Sequence, residues 1–225
     1  MLLKGKVVLI SGGAGGIGSS VANELIQKGA EVYSMDKNKT NKPIKGVYYL
    51  LADLTNSQEI EQAIDTISKK VDIFISAAGV MRRGTIFDSS EEDYDYLMDN
   101  NVKSAWLLLK CLKPKFSDKP TIVQISSGHA LKPETDPGLY TLSKKATSSI
   151  AEILALTCPQ YEVKTVYPGP ILTNLLLTER TKEDKARISK IAHKPAAISK
   201  LIIQLIESDK HALIFDPKIW DYVLG

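Results

Sequence analysis

Tyr140 and Lys144 stand four positions apart in Tyr140-Thr141-Leu142-Ser143-Lys144, a spacing that puts both on one face of a helix within side-chain reach. An ammonium beside a phenol favours the phenolate and lowers its pKa. That tunes a weak acid toward proton transfer near neutral pH. Tyrosine and lysine four apart also occur as ordinary surface pairs, so position gives this pair its meaning. Ser126 and Ser127 end the strand-like run just before it, and open α/β sheets bind ligands outside the carboxyl ends of their strands.

A second constellation lies near the start. Five of the 14 glycines fall in Ser11-Gly12-Gly13-Ala14-Gly15-Gly16-Ile17-Gly18, between an apolar run and a helix-periodic segment. Glycines there let the backbone turn sharply, let a pyrophosphate approach the amides, and let the helix pack close to the sheet with its positive end toward the phosphates. Strand before and helix after is the context this dinucleotide-binding motif requires. Asp36 closes the second strand-like run 18 positions after Gly18, close to the ~20-residue offset at which a carboxylate meets the adenosine ribose hydroxyls. Such a carboxylate repels a 2′-phosphate, which favours NAD over NADP, although Lys37 and Lys39 beside it attract phosphate.

The elements that must position these groups read as alternating strands and helices. Strand-like runs at 6–11, 31–36, 47–51, 71–77, 121–126 and 162–167 alternate with helical periodicity at 17–28, 57–69, 91–112 and 140–156, and 213–215 makes a final short strand. Mostly apolar strands between helices predict a single doubly wound parallel sheet covered on both faces, Rossmann-like, in one domain over residues 1–225. The lysine-rich stretch 174–194 is irregular and is expected to form a lid over the site. A hydrophobic fraction of 44%, a charged fraction of 24% and a net charge of +3 argue for an ordinary globular chain and against a dedicated nucleic-acid binder. The longest apolar runs, such as Val7 to Ile10 and Ala105 to Leu109, fall far short of the ~20 residues that span a bilayer. The start lacks the pattern of a signal peptide. We therefore expect a cytoplasmic protein with no membrane association. Cys111 and Cys158 read as reduced buried thiols, and His129, His193 and His211 are too scattered to suggest a metal site.

Motif by motif, the sequence resembles the short-chain dehydrogenases/reductases over nearly its whole length. Ser11-Gly12-x-x-x-Gly16-Ile17-Gly18 is similar to the family glycine motif, with serine in place of threonine. Asp53 and Leu54 match the pair beside the adenine ring, and Ala77-Ala78-Gly79 matches the Asn-Asn-Ala-Gly turn, with Ser76 where the first asparagine stands. Asn101, Ser127, Tyr140 and Lys144 match the catalytic tetrad, with Ser127 thirteen residues before Tyr140. Pro168, Gly169 and Thr173 match the segment that holds the nicotinamide carboxamide. Lys164 departs from the family's frequent asparagine, and Phe215-Asp216-Pro217-Lys218 from its usual Asp-Gly-Gly ending.

The resemblance implies a hydride transfer between NAD(H) and a small alcohol or carbonyl substrate. In that scheme Tyr140 moves the proton. Lys144 lowers the tyrosine pKa and binds the nicotinamide ribose, Ser127 hydrogen-bonds the substrate oxygen, and Asn101 holds a relay water. It also implies a homodimer or homotetramer joined through the helices near 91–112 and 140–156, whose apolar residues exceed one buried face. A catalytically idle nucleotide-binding sensor or scaffold is the alternative within the same fold; an enoyl reductase would space the tyrosine and lysine farther apart. Arg82 and Arg83 follow the fourth strand, where they either meet an anionic substrate or face solvent and the acids Glu91, Glu92 and Asp93. His129 either reaches the pocket or packs against its loop.

Overall fold

The computed structural model describes residues 3–219 and 221–225; Met1 and Leu2 of the opening run lie outside the described residues. One eight-stranded sheet carries the order β3-β2-β1-β4-β5-β6-β7-β8. Its strands are β1 (Val7–Ser11), β2 (Glu31–Asp36), β3 (Val47–Leu51), β4 (Val71–Ser76), β5 (Phe116–Ile125), β6 (Glu162–Tyr167), β7 (Ala212–Asp216) and β8 (Asp221–Leu224). The first seven pair in parallel, and β8 runs antiparallel to β7 at the edge. The helices are α1 (Gly16–Gln27), α2 (Ser57–Asp65), α3 (Glu91–Leu97), α4 (Ser104–Leu112), α5 (Gly128–Leu131), α6 (Gly138–Thr157), α7 (Asn174–Leu177), α8 (Lys182–Ile191) and α9 (Pro195–Ile206).

Successive strand residues point to opposite faces, and both faces of the central strands are apolar. Val8, Ile10, Val32, Ile73 and Ile75 pack with Val21 and Leu25 of α1 and Ile198 and Ile202 of α9. Val7, Leu9 and Phe74 pack on the other face with Ile60 and Ile64 of α2 and Leu108 and Leu112 of α4. This sandwich is why β1 is a run of valine, leucine and isoleucine without alternation. The chain winds outward from β1 to β3, then crosses back to β4, so strand order reverses between β1 and β4, the point where such sheets take ligands. Ser11, Ser76 and Gln124 lie in register across β1, β4 and β5, so the turns that follow these strands open on one rim.

The structure departs from the sequence reading in several places, and the stretch 174–194, expected to be irregular, holds the helices α7 and α8. The strand at 213–215 is not the last, because the chain turns back as β8. β3 is not covered on both faces: residues 37–46 cross from β2 to β3 without a helix, and Tyr48, Tyr49 and Leu51 stay exposed. Polar, lysine-rich residues and Pro43 give that crossover no apolar stripe with which to cover the sheet, although Tyr48 stacks on Tyr33 at 5.0 Å. The single helix expected over 91–112 is broken by a π-helical stretch, Met98–Lys103. Cys111 is buried, but Cys158 is only half-buried.

Lys164 is fully buried in β6, and its Nζ donates to the backbone carbonyls of Ser208 and Lys210, each at 2.8 Å, with Glu162 Oε1 at 3.7 Å. The ammonium thus ties the sheet to the turn that leads from α9 to β7. Lys164→Met, which keeps the stem but strands both carbonyls, is expected to lower stability by about 2 kcal/mol. In a chain of this size that is a fall in Tm of roughly 4–8 °C, measurable by thermal melting. An unchanged Tm would remove this role.

Candidate active site

The glycine turn packs too closely for side chains. Gly12 has φ +69°, and a Cβ there would lie 2.6 Å from the backbone of Ala78. At Gly13 a Cβ would run into Ser34 Oγ, at Gly16 it would meet Thr173 Cγ2 at 2.6 Å, and at Gly18 it would run into the Gly12 carbonyl. The turn therefore brings β1, the Ala77–Gly79 turn, the start of α1 and the Thr173 side chain together through close approaches of its backbone. The Ser11 hydroxyl accepts a hydrogen bond from Ala78 N at 3.4 Å, so the serine ties β1 to that neighbouring turn. α1 begins at Gly15 with no side-chain cap and no acid in its first turn. Free amides at the positive end of a twelve-residue helix favour an anionic group, and the cradle fits a pyrophosphate.

Asp36 stands beside this turn. Its Oδ2 accepts from Ala14 N at 3.1 Å and its Oδ1 from Asn38 N at 2.9 Å, so the carboxylate is held in place by the loops it joins. Lys37 donates instead to Asn100 Oδ1 at 3.3 Å, across a cleft of about 600 Å³ that also exposes Asp53, Glu91, Asp95 and Tyr96. Asp53 Oδ1 accepts from both the amide and the hydroxyl of Thr55. The Thr55 amide, more than any other group, holds its carboxyl below the usual range.

Asn101, Ser127, Tyr140 and Lys144 are all buried, and they converge where β4 and β5 end against α6. The Asn101 amide donates to Val80 O at 3.0 Å and to Ser143 Oγ at 2.9 Å, while its Oδ1 accepts from Val80 N at 2.7 Å. It thereby pins the loop after β4 onto α6. The π-helical stretch is what turns Asn101 inward, a frequent use of such bulges at functional sites. Lys144 Nζ donates to Ile125 O at 3.3 Å and lies 5.9 Å from the Tyr140 ring centre. Gly79 makes room for that ammonium, since a Cβ there would stand 3.1 Å from Nζ. Burial pushes the Tyr140 hydroxyl up to about 12, against a smaller downward pull from its hydrogen bond with Ser127. Burial also lowers Lys144 to about 8. Burial governs both groups in the protein alone, since taking each from water disfavours its charged form.

The segment 174–194 comes next to the site at one helix. Leu175 of α7 packs beside Tyr140, Met81 and Leu97, and His129 sets its ring edge-on to Tyr140 at 6.0 Å. Burial lowers the His129 pKa. Glu179, just beyond α7, takes φ +54° and receives Arg82 Nη1 at 3.1 Å and the Arg83 amide at 2.8 Å. Arg82 also lies 3.5 Å from Asp93 and 4.5 Å over the Tyr96 ring, and Arg83 pairs with Asp136 at 3.2 Å. Both guanidinium groups, weighed above as contacts for an anionic substrate, thus have carboxylate partners within the chain. Of the acids named in advance, only Asp93 is one of them.

Residues 6–184 match the family model described as short chain dehydrogenase. The chain belongs to that family. A curated relative is "Dehydrogenase/reductase SDR family member 6" from Aquarana catesbeiana, 31% identical over 160 residues, which make up 68% of this chain and 65% of the relative. The matched region therefore spans just under two thirds of that relative's length. A short chain dehydrogenase from Burkholderia cenocepacia J2315, solved in complex with NADP, superposes with a TM-score of 0.82 at 20% identity, covering 94% of this chain and 88% of that one. A 3-ketoacyl-(acyl-carrier-protein) reductase from Brucella melitensis, solved with NADH, does so with a TM-score of 0.80 at 22% identity, covering 90% and 91%.

In this short-chain dehydrogenase several supporting residues escape a sequence reading. Ser143 bridges Asn101 to the Tyr140 carbonyl, to which it donates at 2.8 Å. The Ser126 hydroxyl donates to Lys144 O at 2.9 Å and lies 2.8 Å from Ser148 Oγ. Ser143, Thr147 and Ser148 fall on the buried face of α6 with Tyr140 and Lys144, and the spacing at 140, 143, 144, 147 and 148 was the available signal. Pro168 O accepts from Gly128 N at 2.8 Å, which joins the Pro168–Thr173 segment to the turn after Ser127. No helix among the described residues is long and apolar enough to cross a membrane.

Proposed function

We propose that this short-chain dehydrogenase interconverts a small alcohol and its carbonyl compound with NAD(H). The observation that carries this is the convergence of Asn101, Ser127, Tyr140 and Lys144 beside the glycine cradle. When bound, the dinucleotide accepts or delivers the hydride. The protein's part is orientation and the proton. A Tyr140 hydroxyl raised to about 12 is protonated at neutral pH, ready to donate to a carbonyl oxygen; in the reverse direction the acceptor of the substrate hydroxyl's proton is the Tyr140 phenolate, formed once its own proton has left. Ser127, in hydrogen-bond contact with Tyr140, offers a donor to the substrate oxygen where negative charge develops. Lys144 Nζ donates to the Ile125 carbonyl and is held beside Gly79, in position for the nicotinamide ribose. The Asn101 side chain is bonded to Val80 and Ser143, and Asn101 would hold the relay water.

At the other end, Gly12, Gly16, Ile17 and Gly18 take the pyrophosphate, Asp36 the adenosine ribose, and Asp53 and Leu54 the adenine, while Ala78 and Gly79 line the cofactor between the glycine cradle and Lys144. Pro168, Gly169 and Thr173 hold the carboxamide. The test is a panel of alcohols and carbonyl compounds with NAD(H) and NADP(H), followed by nicotinamide absorbance. Turnover of any member supports the reading; cofactor binding without turnover across the panel favours the idle sensor or scaffold.

The functional unit is a homodimer or homotetramer in the cytoplasm. Trp106 of α4 and Leu142, Ile153 and Leu156 of α6 are exposed, and a second copy would cover them. Most of the Ala105–Leu109 run is covered within the chain, so the exposed apolar surface is concentrated on fewer side chains than the sequence implied. Light scattering at micromolar concentration should give at least twice 24.7 kDa; a monomer would count against this assembly.

A further inference from the structure

The C-terminal hairpin meets the active site at Gly169. Phe215 of β7 and Tyr222 of β8 are directly paired across the hairpin, and their rings stand 5.5 Å apart. The Phe215 ring covers Gly169 so closely that a Cβ there would lie 2.5 Å from ring carbons. The Tyr222 hydroxyl accepts a hydrogen bond from Gly169 N at 3.3 Å. His193 completes a three-ring cluster, 5.8 Å from Phe215 and 5.6 Å from Tyr222. Its own backbone holds the same segment, with His193 N donating to Pro170 O at 2.9 Å and Leu172 N donating to His193 O at 2.8 Å. Together with the bond from Gly128 N to Pro168 O, these contacts hold the Pro168–Thr173 segment between the Ser127 turn and the hairpin.

Within that set Tyr222 is distinctive. Its hydroxyl is the side-chain group bonded to the backbone amide of Gly169, and it comes from an antiparallel strand at the sheet edge. Burial raises the phenol above its ordinary value, so at neutral pH it is a neutral group fixed by packing and this bond. We propose that Tyr222 is a positioning residue which sets the backbone of Gly169, and through it the wall that receives the nicotinamide end of the cofactor. The proposal rests on the functional reading above.

Tyr222→Phe removes the hydroxyl and keeps the ring on Phe215 and His193. Affinities for NADH and for ADP-ribose, which lacks the nicotinamide, are measured by fluorescence and calorimetric titration. The expected result is an NADH Kd raised about five-fold, the scale of one neutral hydrogen bond, with the ADP-ribose Kd unchanged. Equal weakening of both ligands would mean a general loosening and overturns the positioning role, as does an unchanged Kd for both. Wild-type protein that binds neither ligand overturns the functional reading and this proposal with it. Wild-type binding with an unaltered variant overturns only the latter.

Discussion

Tyr140→Phe is expected to lower kcat by about 10³-fold, within the range that general acid–base catalysis supplies, while the cofactor Kd stays within about two-fold of wild type. The structure explains why the two effects separate. The Tyr140 ring packs with Met81, Leu97 and Leu175 and takes the edge of His129, and phenylalanine keeps those contacts. What goes is the hydroxyl in hydrogen-bond contact with Ser127. A phenol raised to about 12 by burial is desolvated, so its loss costs folding little, and the variant should melt close to wild type. Steady-state rates on a confirmed substrate, with a parallel cofactor titration, check both halves. Wild-type turnover in this variant would show that the proton moves by another route.

Asp36 governs the second large effect. Wild-type protein is expected to bind NAD more tightly than NADP, and Asp36→Ala should shift the ratio toward NADP by about 10–100-fold. Two unit charges 4 Å apart repel by roughly 4 kcal/mol at an effective dielectric near 20; partial exposure and salt reduce that to about 1–3 kcal/mol. The carboxylate cannot easily swing away, because Ala14 N and Asn38 N hold its two oxygens. Lys37, the neighbour best placed in sequence to offset it, is bonded to Asn100. Fluorescence titration of both cofactors decides the matter. Equal or tighter NADP binding by the wild type would show that Lys37 and Lys39 dominate.

The features legible in the sequence share one property: they depend on local spacing. The glycine turn is readable because its steric demand falls on seven consecutive positions. The alternation of apolar strands and helices is readable because each element buries its own face, and parallel strands covered on both sides need no partner to look apolar. Tyr140 and Lys144 are readable because four residues on a helix place two side chains together.

Helix α6 shows where such reading fails. Its buried face is Tyr140, Ser143, Lys144, Thr147 and Ser148, whereas Leu142, Ile153 and Leu156 point outward. A hydrophobic pattern assigns such a helix the wrong inner face, because hydroxyls can be buried only where partners wait, and those partners are supplied by Asn101, Ser126 and the helix's own carbonyls. The same holds for Arg82 and Arg83, whose partners Glu179 and Asp136 lie 97 and 53 residues away. It holds too for Lys144, whose pKa is set by burial among elements far apart in the chain. By itself, then, the sequence determined the alternating fold, the glycine cradle and the Tyr140–Lys144 pair, since local sterics and helix geometry specify them, while Asn101 and Ser127 were named by the resemblance to the family. Tertiary structure alone decided which helix face turns inward, how burial displaces the tyrosine and lysine pKa values, and that a C-terminal hairpin reaches Gly169, because each of these depends on contacts between residues that sequence distance does not bring together.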